Sequence, residues 1–214
     1  KNAGSSQPRD VAGVKWWMPR TIRLLANNML SNDEPQHKRL RKAVDLAFNR
    51  RSVMQLVPNI DGIANQLLDK MDGDIKNSSG ADLVSRYARK LPLAVISDLL
   101  GIEQPRRAEF ERLAGQITRV SSAWNFVMIF RPLAQIRKLL EAEIERARHL
   151  SCEDGDAGLI VSLLHPPDEE KRLTDDELLA MVFLLLFAGH ETTTHLISGS
   201  VLALFEHEDQ RRWL

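Results

Sequence analysis

The sequence predicts a mainly α protein. Apolar residues recur at three- and four-residue spacing along most of the chain, and no convincing run alternates apolar and polar as a half-buried strand would. Thr174-Asp175-Asp176-Glu177 is a capping box placed directly before a long apolar run, which marks a helix start. At 214 residues one sizeable domain is expected. The composition, 43% hydrophobic and 27% charged, is that of a globular chain rather than a disordered one.

The elements follow in order. Residues 1–13 are rich in Ser, Gly and Pro and read as a flexible start; Trp16, Trp17 and Met18 then bring bulky apolar surface, followed by Pro19 and a short helical pattern to Leu30. Asn32 or Asp33 can cap the next helix, with Pro35 in its first turn, where a missing N–H does no harm. That helix should run to about Asn49 and bury Leu40, Val44 and Phe48. A helical stripe from Val53 to Met71 includes Leu56, Ile60, Ile63, Leu67 and Leu68, with Pro58 marking a start or a kink. A polar turn at residues 77–80 separates it from helical patterns over 82–89 and 92–100, the second stopped by Gly101. Residues 105–120 and 129–149 read as helices on either side of a looser stretch with Trp124 and Phe126. A loop over 151–157, a short helix over 159–164 and the breaker Pro166-Pro167 lead to the capping box. From there the helical pattern continues to about Glu206.

Composition excludes several functions. Lys plus Arg and Asp plus Glu both total 29, so zero net charge offers no long-range attraction to nucleic acid or an acidic membrane. The basic cluster from Lys38 to Arg51 has little aromatic interleaving, so no nucleic-acid partner is expected. Cys152 is the only cysteine, which excludes an intrachain disulfide framework or a CxxC site and fits a reducing cytoplasm. Residues 1–10 lack the apolar core of a signal peptide. The uninterrupted apolar run 178–189 falls short of the roughly 20 residues a membrane span needs, so no membrane partner is evident. The chain begins with Lys1 rather than Met, and the expectation is a sequence trimmed at both ends.

Chemistry concentrates at Ala188-Gly189-His190-Glu191-Thr192-Thr193. An apolar helix face through Leu184, Phe187 and Ala188 abruptly meets Glu191 and Thr192. At about 100° per residue, Leu184, Ala188, Thr192 (or Glu191) and His195 lie along one side. Ala188 and Gly189 remove bulk, so something can approach the backbone. Thr192 can turn its hydroxyl back to the carbonyl of Ala188, loosening the helix, and Glu191 can relay protons. A buried helix with satisfied threonines and a solvent-facing Glu is an equally open reading of these residues alone. A zinc site fails on spacing, because an HExxH pair needs its second His at 194; His195 lies about 140° around the helix from His190.

A second pattern is Asp33-Glu34-Pro35-Gln36-His37-Lys38-Arg39-Leu40-Arg41. His37 and Arg41, four apart, put two donors on one helix face, suited to gripping a carboxylate. A solvated basic face is the plainer reading, since Lys38, Arg39, Lys42, Arg50 and Arg51 crowd around them.

The first of these runs resembles the oxygen-binding helix signature of cytochromes P450, (A/G)-G-x-(D/E)-T-T. The second resembles that family's D-x-P-x-H-x-x-x-R segment. Leu91-Pro92 with Asp98 to Ile102 is similar to the family's L-P…LLG(V/I) stretch; Leu159 to Leu164 matches as well. Glu206 to Gln210 is similar to its H-P-D-Q helix start, with Glu208 in place of Pro. The likeness spans nearly the whole chain in the right order. It implies a partial cytochrome P450 fold, the haem-distal helical half with the long oxygen-binding helix, in one domain over residues 1–214. Ala188 and Gly189 would form the groove over the iron of a b-type haem (heme), and His37 and Arg41 would bind its propionates. Glu191 and Thr192 would be the acid–alcohol pair that delivers protons to dioxygen, and Leu184, Phe187 and Ala188 would line the substrate pocket under a lid formed by residues 11–25.

The implied activity is a cytoplasmic monooxygenase that inserts one oxygen atom of O2 into a small apolar molecule. Its electrons would come indirectly from NAD(P)H through a ferredoxin- or flavoprotein-type partner. The N-terminal sheet region and the C-terminal E-x-x-R and cysteine-loop motifs are absent. Glu-x-x-Arg strings do begin at Glu103, Glu109, Glu143 and Glu208, but that spacing is common in charged helices. Cys152 sits in an acidic loop that disfavours a thiolate, so these 214 residues as written lack the thiolate that such chemistry relies on. The rival expectation is a non-catalytic helical binding or interaction remnant of the same fold.

Overall fold

The structure is a computed structural model and describes residues 28–48, 54, 56–77, 80–117, 129–150, 158–166 and 172–213. The expected lid, the Trp124–Phe126 stretch and Cys152 lie outside them. The described elements are helices: α1 (Gln36–Ala47), α2 (Val57–Asn77), a π-helical turn (Val84–Ala88), α3 (Lys90–Leu100), α4 (Gln104–Ile117), α5 (Phe130–Ala147), α6 (Leu159–Leu164), α7 (Asp175–Glu206) and α8 (Glu208–Arg211). A 3-10 turn (Met29–Ser31) precedes α1, and no strand occurs among the described residues.

Helix α3 is the hub, packed against α2, α4, α6 and α7. Its sequence, KLPLAVISDLL, turns Leu93, Ile96 and Leu100 into the core. Two of its residues set local backbone. Pro92, in the first turn, has no N–H for the Ala88 carbonyl and crowds it. The chain just upstream widens into the π-helical turn, with the Arg89 N–H reaching back to Val84. The pattern over 82–89 predicted an ordinary helix, which this proline precludes. At the other end Gly101 adopts φ 76°, and the Gly101 and Ile102 N–H groups bond to Asp98 and Ser97 at 3.0 Å. That left-handed stop is the one expected.

The stop is held from outside. Arg146 donates to the Gly101 carbonyl at 2.7 Å and to the carboxylate of Glu143, which is fully buried and also accepts the Glu103 N–H at 3.2 Å. Gly158, at the start of α6, lies directly against Gly101; a Cβ on it would fall 2.4 Å from the Gly101 Cα.

Other starts and faces differ from expectation. Helix α1 begins after Pro35 without a side-chain cap, later than Asn32 or Asp33 would have placed it, and the Asn32 amide donates to the Asn28 carbonyl at 2.7 Å. Leu40 and Val44 are buried as expected, and Phe48 packs at the edge of the core. Among the described residues the stripe on α2 buries only Leu67; Val57, Leu68 and Ile75 are exposed, since α2 meets the body mainly through α3 and the π-helical turn.

Helix α7 is 32 residues long and opens on the capping box, with Thr174 Oγ1 accepting from the Glu177 N–H and the Glu177 carboxylate accepting from the Thr174 N–H. The second Glu177 oxygen pairs with Arg39 of α1. Residues 178–183 are consecutively buried, more than a full turn, so α7 enters the core enclosed on every side. By length and composition the whole helix could cross a membrane, although the apolar run within it is shorter; here that run forms the protein core.

The Gly101–Gly158 contact predicts a contrast. Gly158→Ala should lower stability to urea by about 2 kcal/mol through forced backbone separation. Gly62→Ala, with no atom within 4 Å of its new methyl, should raise it by about 0.5–1 kcal/mol through helix propensity. Equal effects in equilibrium unfolding would disprove the close approach.

Candidate oxygen-activation site

Halfway along α7 the enclosure ends on one side. Leu186, His190 and Thr194 remain buried, while Ala188, Glu191, Thr192, His195 and Leu196 are exposed. At about 100° per residue His190 lies about 160° around the axis from both Ala188 and Thr192. One side of the helix therefore stays packed on α3 and the π-helical turn, the opposite side carries Ala188 and the predicted alcohol, and the predicted acid stands between them, about 100° from His190.

The Thr192 hydroxyl donates to the Ala188 carbonyl at 2.5 Å, the bond the sequence predicts. Two more hydroxyls do the same nearby: Thr194 to His190 and Ser198 to Thr194, both at 2.8 Å. Each adds a second donor to a carbonyl of the helix ladder, which weakens the ladder locally. Glu191 lies 3.9 Å from His195, and with both exposed that pair contributes little even when the imidazole is charged. Leu184 and Phe187 are half-buried, and Phe187 stacks on the buried Phe183 at 6.4 Å between ring centroids.

Leu184, Phe187, Ala188, Glu191 and Thr192 are thus brought together by one helix. Gly189 is turned elsewhere: a Cβ there would stand 3.3 Å from Ile96 Cδ1, so its missing side chain admits α3. His37 and Arg41 sit on α1. His37 Nδ1 donates to the Met29 carbonyl at 2.7 Å, leaving Nε2 to meet any carboxylate, which it can do as a donor only when the ring is imidazolium. Arg41 is exposed, with Asp45 at 3.8 Å. The Arg39–Glu177 ion pair joins α1 to the start of α7, about 22 Å along the axis from Thr192.

No cluster of metal ligands occurs among the described residues. A cleft of about 380 Å³ between α2 and the π-helical turn, lined by Leu67, Met71, Asp74, Arg86 and Lys90, includes none of the predicted site residues.

The family profile described as Cytochrome P450 matches residues 16–212. The chain belongs to the cytochrome P450 family. It is 39% identical over 191 residues to cytochrome P450 107B1 of Saccharopolyspora erythraea, covering 87% of this chain and 43% of that protein. It is 37% identical over 195 residues to the vitamin D(3) 25-hydroxylase of Pseudonocardia autotrophica, covering 87% and 44%. The solved cytochrome P450 PksS of Bacillus subtilis superposes with a TM-score of 0.77 at 31% identity, over 92% of this chain and 48% of that one. The chain spans less than half the length of these relatives. Their fold, shared over almost all of it, confirms a partial, mainly α cytochrome P450.

The cytochrome P450 motif did not reveal His190, because the position between Gly and the acid carries no pattern of its own. Its ring is 3% exposed, and neither nitrogen makes a hydrogen bond of normal geometry. Burial pushes its pKa below the ordinary 6.5, and the Arg89 guanidinium adds to this; the Arg89 backbone and the Glu191 carboxylate act the other way. The unfolded chain therefore binds a proton that the folded chain refuses as pH falls below 6.5. Stability from this neutral ring is complete above that pH and is lost on acidification. His190→Phe should flatten the acid side of the stability profile between pH 7 and pH 5, measured by urea unfolding. An unchanged slope would place the ring in water.

Proposed function

We propose that this chain forms the haem-distal wall of an oxygen-inserting monooxygenase, with Glu191 and Thr192 as its proton-handling pair. The observation that carries this reading is the open face of α7. There a small residue, an alcohol bonded to the helix backbone and an exposed carboxylate stand together, where the enclosed apolar part of the helix ends.

A haem suits that face. Ala188 offers no bulk, Leu184 and Phe187 supply apolar contact, and the Thr192 oxygen keeps its lone pairs free while its hydroxyl donates to the Ala188 carbonyl. His37 through Nε2 and Arg41 through its guanidinium would hold the two propionates, and the thiolate ligand is not among the described residues. The haem iron, when bound, supplies dioxygen binding and oxygen-atom transfer. Glu191 takes protons from solvent and passes them toward Thr192 Oγ1, which holds a proton on the open face beside Ala188. Phe183 backs Phe187 and fixes that wall of the pocket.

The substrate class we infer is a small apolar molecule, in keeping with the half-buried Leu184 and Phe187 and with the similarity to a vitamin D(3) hydroxylase. Electrons would come from NAD(P)H through a ferredoxin- or flavoprotein-type partner in the bacterial cytoplasm. Lys38 and Lys42 are exposed on α1 and would meet that partner's acidic surface; Arg39 is committed to Glu177, and Arg50 and Arg51 lie outside the described residues.

In the haem-loaded enzyme, Thr192→Ala should lower product per NAD(P)H consumed several-fold and raise hydrogen peroxide release by the corresponding amount. Unchanged coupling would remove Thr192 from proton delivery. Electron transfer from the partner should slow as salt rises from 0.05 to 0.5 M, because the docking charges are exposed. A salt-indifferent rate would rule out the α1 face.

A further inference from the structure

His190 is the residue of the α7 motif that the reaction does not use, yet it is the most deeply buried of the six from Ala188 to Thr193. Its ring projects from the side of α7 that packs on α3 and the π-helical turn, across the axis from Ala188 and Thr192. Next to it, Gly189 admits the Ile96 side chain at close range, so α3 packs directly on the α7 backbone there. A rigid ring at that point leaves α7 little freedom to turn. Rotation matters because a side-chain atom about 5 Å from a helix axis moves about 2 Å for each 20° of turn. Displacements of about 1 Å cost reacting groups on the order of a hundredfold in rate.

We propose that His190 is a positioning residue: its ring, wedged between α7 and the π-helical turn, fixes the rotation of α7 and so aims Glu191 and Thr192 together at the open face. The wedge acts chiefly through volume: neither nitrogen makes a hydrogen bond of normal geometry, although the Arg89 backbone lies close enough to favour the charged ring. The bulge upstream of Pro92 supplies the wider backbone that receives the ring. The inference rests on the haem-distal reading above and deepens it.

The test uses the haem-loaded enzyme with carbon monoxide as the probe, reading the C–O stretch by infrared. That band senses polar groups facing the bound gas and does not respond to a loss of stability. Thr192→Ala should shift it by removing a hydroxyl. His190→Ala should shift it in the same direction by at least half as much, and His190→Phe, which refills the wedge with a neutral ring, should return it to the wild-type position. Should His190→Ala fail to fold, His190→Leu should give an intermediate shift. A band that moves with Thr192→Ala but stays put in His190→Ala or His190→Leu overturns the inference alone. A band indifferent to Thr192→Ala, or an enzyme that takes up no haem, overturns the haem-distal reading and the inference with it.

Discussion

The packing of α7 against α3 is the contact on which the rest depends. Helix α7 has to be apolar on all sides where it threads the core and polar on one side where it leaves it, without changing direction. A continuous seam makes this possible: Phe183, Leu186, His190 and Thr194 stay buried along one side while the opposite side opens from Ala188 onward. Two small features keep the seam tight. Gly189 removes a side chain where Ile96 approaches, and Pro92 widens the turn that faces His190. Each fully buried apolar side chain along the seam contributes about 1.5–3 kcal/mol. Those contributions offset the local weakening by three hydroxyls bonded back onto the helix ladder.

Around that seam, charged groups fix ends rather than faces. Glu177 serves its own helix cap and Arg39 at once, so the start of α7 and helix α1 are located by one carboxylate. Glu143 and Arg146 clamp the stop of α3, and both ions bond backbone groups as well as each other, which offsets part of the cost of burying the Glu143 carboxylate. The Glu143-x-x-Arg146 string is thus a structural clamp. Its bonds run to the Gly101 carbonyl and the Glu103 N–H, at the left-handed turn that ends α3.

Much of this was legible in the sequence, and the reasons differ by element. The capping box at Thr174, the stop at Gly101 and the Thr192 back-bond depend on neighbouring residues, so local chemistry fixes them. The start of α1 was misread because the helix begins at Gln36, which puts Pro35, with no side-chain acceptor, at the cap position. The π-helical turn escaped notice because its cause, Pro92, acts on backbone four residues upstream. On an almost wholly apolar helix, periodicity cannot say which side meets a neighbour. For that reason the sequence grouped Gly189 with Ala188, whereas it faces Ile96, and passed over His190. The family likeness located the motif; only packing separates the residues that face the open side from those that hold the helix in place.

The account's central claim is that the open face of α7 is the side turned to a haem. Nuclear magnetic resonance of the ferric, haem-loaded enzyme tests it, with the Ala188 and Thr192 methyl groups and the His190 ring isotopically labelled. Paramagnetic iron should broaden the two methyl signals severely and leave the His190 ring signals resolved. Sharp Ala188 and Thr192 methyls, or a His190 ring broadened more than they are, would contradict it.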